Sequence, residues 1–295
     1  MTEHIVTKTD LEAKLKEIED FVTKRGNPEY GLFGPGSMMW KVGSESIIFF
    51  GSGYALLMQE AHPWVATGAY HHSKVKTDPM GRWKRTFSAV NTLIFGDLNS
   101  AMKCARMIHA IHSKVKGTLD EHGGGQYAAN NENALMWVAA TLCYTSIRMY
   151  ELGVASMSYE EKNQYYQEFK RFCYMFGISD ETLPKTWDDF TGYYSYMTYC
   201  KQLSVKEHGR ELISHFTSKY ENPFHPLHIP SDVFLMITGN LLPRSITKQY
   251  GIKFGFKEEL ISDTIILAVR NLYGKLPKEV RMNPYYRQAT KKLDL

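Results

Sequence analysis

Ala101, Ala105, Ile108, His112 and Val115 are spaced by four, three, four and three residues. At 3.6 residues per turn, that spacing places all five on one stripe of a helix. The stripe is apolar except for His112, which stands among small residues. A neutral imidazole on such a face can offer a nitrogen to haem iron in a dry slot. The commoner use of such a position is a core histidine satisfied by a hydrogen bond, and spacing alone favours it. His109 lies a turn earlier and off the stripe, which makes it the weaker candidate.

A second constellation lies upstream. Trp83, Phe87, Val90 and Ile94 form an apolar stripe, with Arg82 and Thr86 as i,i+4 neighbours at its edge and Arg85 beside them. A guanidinium next to a hydrophobic slot suits a carboxylate bidentately, as in a haem propionate. A surface helix with solvated arginines has the same pattern. His62 precedes Pro63. It is either a further pocket group or a hydrogen-bonding partner of the helix end that the proline creates.

Other chemistries are excluded by pattern. Gly51-Ser-Gly53 lacks the third glycine and the strand-then-helix context of a dinucleotide fingerprint, and reads as small residues for close helix packing. The chain has no G-x-S-x-G, no HExxH, no Walker loop and no Glu-x-x-His pair of a di-iron bundle. Cys104, Cys143, Cys173 and Cys200 form no C-x-x-C, which points to reduced, buried thiols rather than zinc or disulfides. A net charge of +4, from 35 Lys and Arg against 31 Asp and Glu, is too diffuse for nucleic acid.

The elements that must hold these residues read as helices. Thr9 and Glu12 form a capping box for a helix ending near Gly26. Gly31 to Gly36 is a turn, and an apolar segment from about Ser44 to His62 halts at Pro63. Thr77-Asp78-Pro79 opens a helix to about Phe95, and the next runs from about Asn99 to Lys116 with Gly117 at its C-terminus. Helices follow from Glu132 to Glu151, from Ser158 to Gly177, from Thr186 to Leu203 and from Ser204 to Tyr220. The stretches His122–Gln126 and Asn222–Pro230 read as loops. Two or three helices fill Ser231 to Tyr273, and a short basic tail follows Pro277. Convincing strand alternation, repeats and low-complexity linkers are absent, so residues 1–295 read as a single all-α domain. The N-terminal residues lack the pattern of a secretory signal, and no apolar run approaches the roughly 20 residues of a membrane span. A cytoplasmic location without an integral membrane segment is the expectation.

Several ordered motifs then carry a resemblance. They are Gly34-Pro-Gly-Ser37 with Trp40, Ala55-Leu-Leu-Met-Gln59-x-x-His62-Pro63, Asp78-Pro-x-Gly-Arg82-x-x-Arg85-Thr86 and Phe95-Gly96. His112-x-x-Val115-x-Gly117, Trp137-Val-x-Ala-Thr141, Leu242-Pro243 and Asn283-Pro284 follow. Over about residues 30 to 290 the chain resembles the oxygenase family that groups the fungal ER-bound oxygenase MpaB with bacterial rubber oxygenase, the latex-clearing protein. The resemblance implies a multi-helix fold with a globin-like core holding haem b. It implies His112 as the iron ligand, and Arg82 and Thr86 as pocket residues. Arg85 stands where rubber oxygenase has a lysine, and His109 where the family has an arginine.

The resulting expectation is a haem b-dependent oxygenase that activates O₂ on an apolar, unsaturated or isoprenoid-like substrate. Its site would comprise Arg82, Arg85, Thr86 and His62, with His112, Arg82 and His109 toward the cofactor. A haem sensor or carrier without turnover, and a helical scaffold without haem, are the alternatives. Oligomeric state is not legible. The 19 Tyr, 15 Phe, 5 Trp and 14 Met would in part line the slot.

Overall fold

The computed structural model describes residues 4–119, 124–200, 202–218 and 231–295. The helices in chain order are α1 (Lys8–Arg25), α2 (Met38–Gly43), α3 (Ser52–Glu60), α4 (Pro63–His72) and α5 (Pro79–Phe95). Next come α6 (Leu98–His112), α7 (Glu132–Gly153), α8 (Tyr159–Tyr174), α9 (Trp187–Tyr199) and α10 (Glu207–Ser218). The last are α11 (Ser231–Leu241), α12 (Arg244–Gln249), α13 (Phe256–Leu272), α14 (Lys278–Arg281) and α15 (Pro284–Lys292). The fold is all-α, and one main hydrophobic cluster runs from Val6 to Ala289.

α7 is the spine. It packs against α2, α3, α8, α9 and α13. Asn131 caps it by accepting from the backbone N–H groups of Asn133 and Ala134. Trp137 at its centre is fully buried, and its Nε1 donates to the Met58 carbonyl at 3.0 Å. Cys104, Cys143 and Cys173 are buried free thiols and Cys200 is half-buried.

Several boundaries differ from those read in the sequence. α1 is boxed by Thr7 and Asp10, two residues before Thr9 and Glu12. The chain leaves a backbone bond from Val6 N to Asn130 O, so the first free turn begins there. Its end at Gly26 is as expected, with φ +75°. The apolar segment before Pro63 contains a 3-10 helix, Ser46–Gly51, followed by α3. Pro63 both stops α3 and starts α4, since a missing N–H costs nothing at the first helical position. α6 ends at His112 rather than Lys116. Gly117 is no helix cap but lies in strand β1 (Lys116–Thr118), which pairs antiparallel with β2 (Gln126–Ala128). Three-residue strands are too short for alternation to show in the sequence.

α8 and α9 end at Tyr174 and Tyr199, short of Gly177 and Leu203. α10 begins at Glu207, because the Ser204 N–H is spent on the Ala61 carbonyl and the Val205 N–H on Gln249 Oε1. The tail beyond Pro277 is helical. Buried Asn283 donates from Nδ2 to Asn91 Oδ1 at 2.8 Å and to the Gly43 carbonyl at 3.0 Å, docking α15 against α5. The loop Asn222–Pro230, and His122 and Gly123 of the loop His122–Gln126, lie outside the described residues.

Gly51 shows why small residues stand in the Gly51-Ser-Gly53 stretch. A Cβ there would meet Thr145 Cγ2 at 2.5 Å and Met149 Cγ at 2.6 Å on α7. Overpacking of this kind costs about 1–3 kcal/mol. Gly51→Ala should therefore lower the urea midpoint with an unchanged denaturant slope, and an unaltered midpoint would refute the close contact.

Candidate functional site

A cavity of about 480 Å³ lies between α3, α4, α5, the end of α6 and α7. That volume is in the range of small-molecule and cofactor sites, about 300–1,000 Å³. Its walls are mainly apolar, with Leu56, Trp83, Phe87, Val90, Ile108 and Leu142 among them. Ile111, at the end of α6, lines it and is also exposed, so the cavity opens beside that helix end.

The α6 stripe runs from the core into this cavity. Ala101 and Ala105 are buried, while Ile108, His112 and Val115 line the wall. Asp97 sets the start of the helix. It accepts from Ser100 N at 2.8 Å and from Lys292 Nζ on α15 at 2.9 Å. The Lys292 ammonium, then the Ser100 amide, hold its carboxyl down to about 2. His112 sits in the last turn. Its Nδ1 is buried and has no hydrogen-bond partner among the described residues. Burial, with a smaller push from His109, lowers its pKa to about 4. Desolvation thus outweighs the pull of the helix C-terminus toward a charged ring. The imidazole is neutral at neutral pH, the form in which it can donate a lone pair to a metal.

α5 supplies the second wall. Asp78 caps it, accepting from Gly81 N at 2.9 Å, and Pro79 fills the first position. Arg82 and Thr86 both line the cavity, one turn apart. Arg85 does not. Its guanidinium is more than half exposed and donates to Asp78 Oδ2 at 3.1 Å, on the outer side of the same helix.

The two remaining candidates also lie off the cavity wall. His62 is at the N-cap of α4 and makes no side-chain capping bond. Its ring meets Trp64 edge-on at 6.1 Å. His109 feels Asp10 and Glu12 of α1, so its ring is on the α1 side of α6, and burial lowers its pKa. The structure therefore brings together His112, Arg82 and Thr86, and leaves Arg85, His62 and His109 outside that group.

Glu60 was missed in the sequence. Its side chain is 3 % exposed, its Oε1 lies 3.8 Å from Arg82 Nη2, and its Oε2 has no partner among the described residues. Burial raises its pKa to about 7 against the opposing pull of Arg82. The available signal was its isolation, because it is the sole Asp, Glu, Lys or Arg between Ser46 and Ser73. Gln59 and His72 also line the cavity. Gln59 Nε2 donates to Thr141 Oγ1 at 2.9 Å, and His72 Nε2 is 3.0 Å from the Tyr127 hydroxyl.

These groups fit haem by the chemistry of their donors. No group of three or more His, Cys, Asp or Glu among the described residues could hold a bare metal ion. Iron carried in a macrocycle needs only a single side-chain donor, a role that His112 would fill. Its unpartnered buried nitrogen marks a polar group left for a ligand to satisfy, and Arg82 stands on the same cavity for an anionic substituent.

No curated protein and no solved structure matches the chain. The family model described as the catalytic domain of ER-bound oxygenase mpaB/B'/rubber oxygenase matches residues 40–271, a span that takes in Glu60, Arg82, Thr86 and His112. With well over half of its length matched around the cavity, the chain belongs to the mpaB/rubber oxygenase catalytic-domain family.

Proposed function

We propose that this protein is a haem b-dependent oxygenase acting on an apolar, unsaturated small molecule. The observation that carries the reading is a neutral His112 on the wall of an apolar cavity, with a buried ring nitrogen that has no partner among the described residues. Membership of an oxygenase family supports the reaction class.

His112 would hold the iron, and Arg82 a propionate carboxylate. Bound there, haem supplies the O₂ activation that no side chain performs alone. The chain's own residues do the rest. Trp83, Phe87, Val90 and Leu56 form a dry surface that takes an apolar substrate and excludes water. The Thr86 hydroxyl is a donor on that surface, one turn from Arg82. Glu60 stands behind Arg82 and carries a proton for much of the time near neutral pH, so it leaves the guanidinium charge largely available.

Arg82 gives a direct test. A charge-assisted hydrogen bond is worth about 1.5–3 kcal/mol, so Arg82→Ala should weaken haem binding by about ten- to hundredfold. Arg82→Lys should recover part of that loss. Titration with haemin, read by absorbance, measures both, and unchanged affinity in Arg82→Ala would remove the residue from the site. Oxygen uptake on adding an isoprenoid or other alkene separates an oxygenase from a carrier. Haem binding without such uptake would favour the carrier.

A further inference from the structure

α13 exposes an apolar surface that no described element covers. Its inner side, with Ser262, Ile265, Ile266 and Val269, packs toward α7 and α11. On the other side Phe256 is 83 % exposed, Leu260 and Leu267 are each 58 % exposed, and Leu272 is 56 % exposed. At 100° per residue, Phe256, Leu267, Leu260, Asn271, Thr264, Ala268, Ile261 and Leu272 share one arc of the outer face, mostly apolar with the polar Asn271 and Thr264 within it. Leu276 and Val280, just beyond the helix, extend the exposed apolar surface. A helix apolar on both sides is ordinarily covered by something.

The charges around this face point to what covers it. Lys257 lies within the arc, Arg270 at its margin, Lys253 just before the helix, and Lys275 and Lys278 just after it. All five are exposed, and none is in an ion pair among the described residues. Of the nearby acids, Glu279 is exposed beside Lys278 and the other three are engaged. Glu258 accepts from the Gly255 N–H, Glu259 pairs with Arg244 at 2.6 Å, and Asp263 accepts from Asn240 Nδ2 at 2.7 Å. A second copy meeting this face through a two-fold axis would set the same cations against each other. An anionic surface with an apolar interior complements both features.

We infer that α13 and the segment after it form a docking surface for an anionic lipid bilayer. Phe256, Leu260 and Leu267 enter the acyl boundary, while Lys253, Lys257, Lys275 and Lys278 meet the headgroups. The helix lies along the surface and does not cross it. No helix among the described residues is long and apolar enough to span a membrane.

Co-sedimentation of the chain with sucrose-loaded vesicles tests this surface without reference to catalysis. The protein should pellet with vesicles of phosphatidylcholine and phosphatidylserine, less so with pure phosphatidylcholine, and binding should fall as salt is raised. The double variant Leu260→Asp with Leu267→Asp should bind at least about tenfold more weakly. The pair Lys257→Glu with Lys275→Glu should lose the preference for phosphatidylserine. All four side chains are exposed, so thermal melts of both variants should match the wild type. Absence of pelleting, equal binding to both vesicle types, or wild-type binding by the leucine variant would overturn the inference. So would a concentration-dependent dimer that the leucine variant abolishes, since a second copy would then occupy the face.

Discussion

His112→Ala should abolish the Soret band that haemin produces with the wild-type chain, and should do so without unfolding the protein. The two halves of this result have separate physical origins. A neutral imidazole can ligate iron through a lone pair in a dry setting. Of the two histidines on the cavity wall, His72 is held by the Tyr127 hydroxyl and His112 has the unpartnered nitrogen, so loss of His112 should weaken haem binding by at least about a hundredfold. In the ligand-free protein the same ring is a burden. Its Nδ1 is buried without a partner, and such a group costs about 1–3 kcal/mol. Truncation removes that penalty, and the ring's volume joins a cavity that is already open. The melting temperature of ligand-free His112→Ala should therefore match or exceed that of the ligand-free wild type. A core histidine with no ligand role would give the opposite pattern, with a lower melting temperature and no change in haemin absorbance. A wild-type chain that stays colourless with added haemin would end the haem reading altogether.

The same residue shows what the sequence could and could not convey. Periodicity placed His112 on an inward stripe because helical spacing is local, and α6 realises that stripe from Ala101 to His112, with Val115 lining the cavity just beyond the helix. Thr186 and Ser158 were legible as caps because a capping box is complete within four residues. Where a boundary depends on a distant partner, local reading failed. The start of α1 follows a bond to Asn130, and the start of α10 follows bonds to Ala61 and Gln249. The tail after Pro277 read as a basic end because its reason for folding, Asn283 against Asn91 and Gly43, lies some 190 residues or more away in sequence.

The candidate site divides in the same way. Arg82, Arg85 and Thr86 look alike in sequence, yet a rotation along α5 turns Arg85 outward to Asp78 and leaves the other two on the cavity. Glu60 was passed over because a single acid in an apolar helix has no spacing partner. Its significance appears only when α5 brings Arg82 to within 3.8 Å.

Glu60 and His112 should impose opposite pH dependences on the stability of the ligand-free protein. Burial raises Glu60 from its ordinary 4.5 to about 7. Between those values the folded chain keeps a proton that the unfolded chain releases. Its stabilising contribution is thus present below pH 4.5 and is lost as pH rises through about 7. Burial lowers His112 from 6.5 to about 4, so the folded chain refuses a proton that the unfolded chain accepts. That contribution is present above pH 6.5 and is lost as pH falls through about 4. Each shift corresponds to about 3 kcal/mol over its full window, or about 1.4 kcal/mol per pH unit within it. From pH 4.5 to 6.5 the two slopes oppose and nearly cancel. Relative to the wild type, Glu60→Gln should therefore gain stability with rising pH by about 1.4 kcal/mol per unit, and His112→Ala should lose stability at the same rate. Urea denaturation at pH 5, 5.7 and 6.4, spaced to sample that window, measures the differences, in which all other titrating groups cancel. Variants whose stability runs parallel to the wild type would show that neither group titrates abnormally. A carboxylate bound at Arg82 would draw the guanidinium's charge away from Glu60 and raise its pKa further. Haem binding would then take up a proton, and its affinity should decline as pH rises through about 7 in the wild type but not in Glu60→Gln.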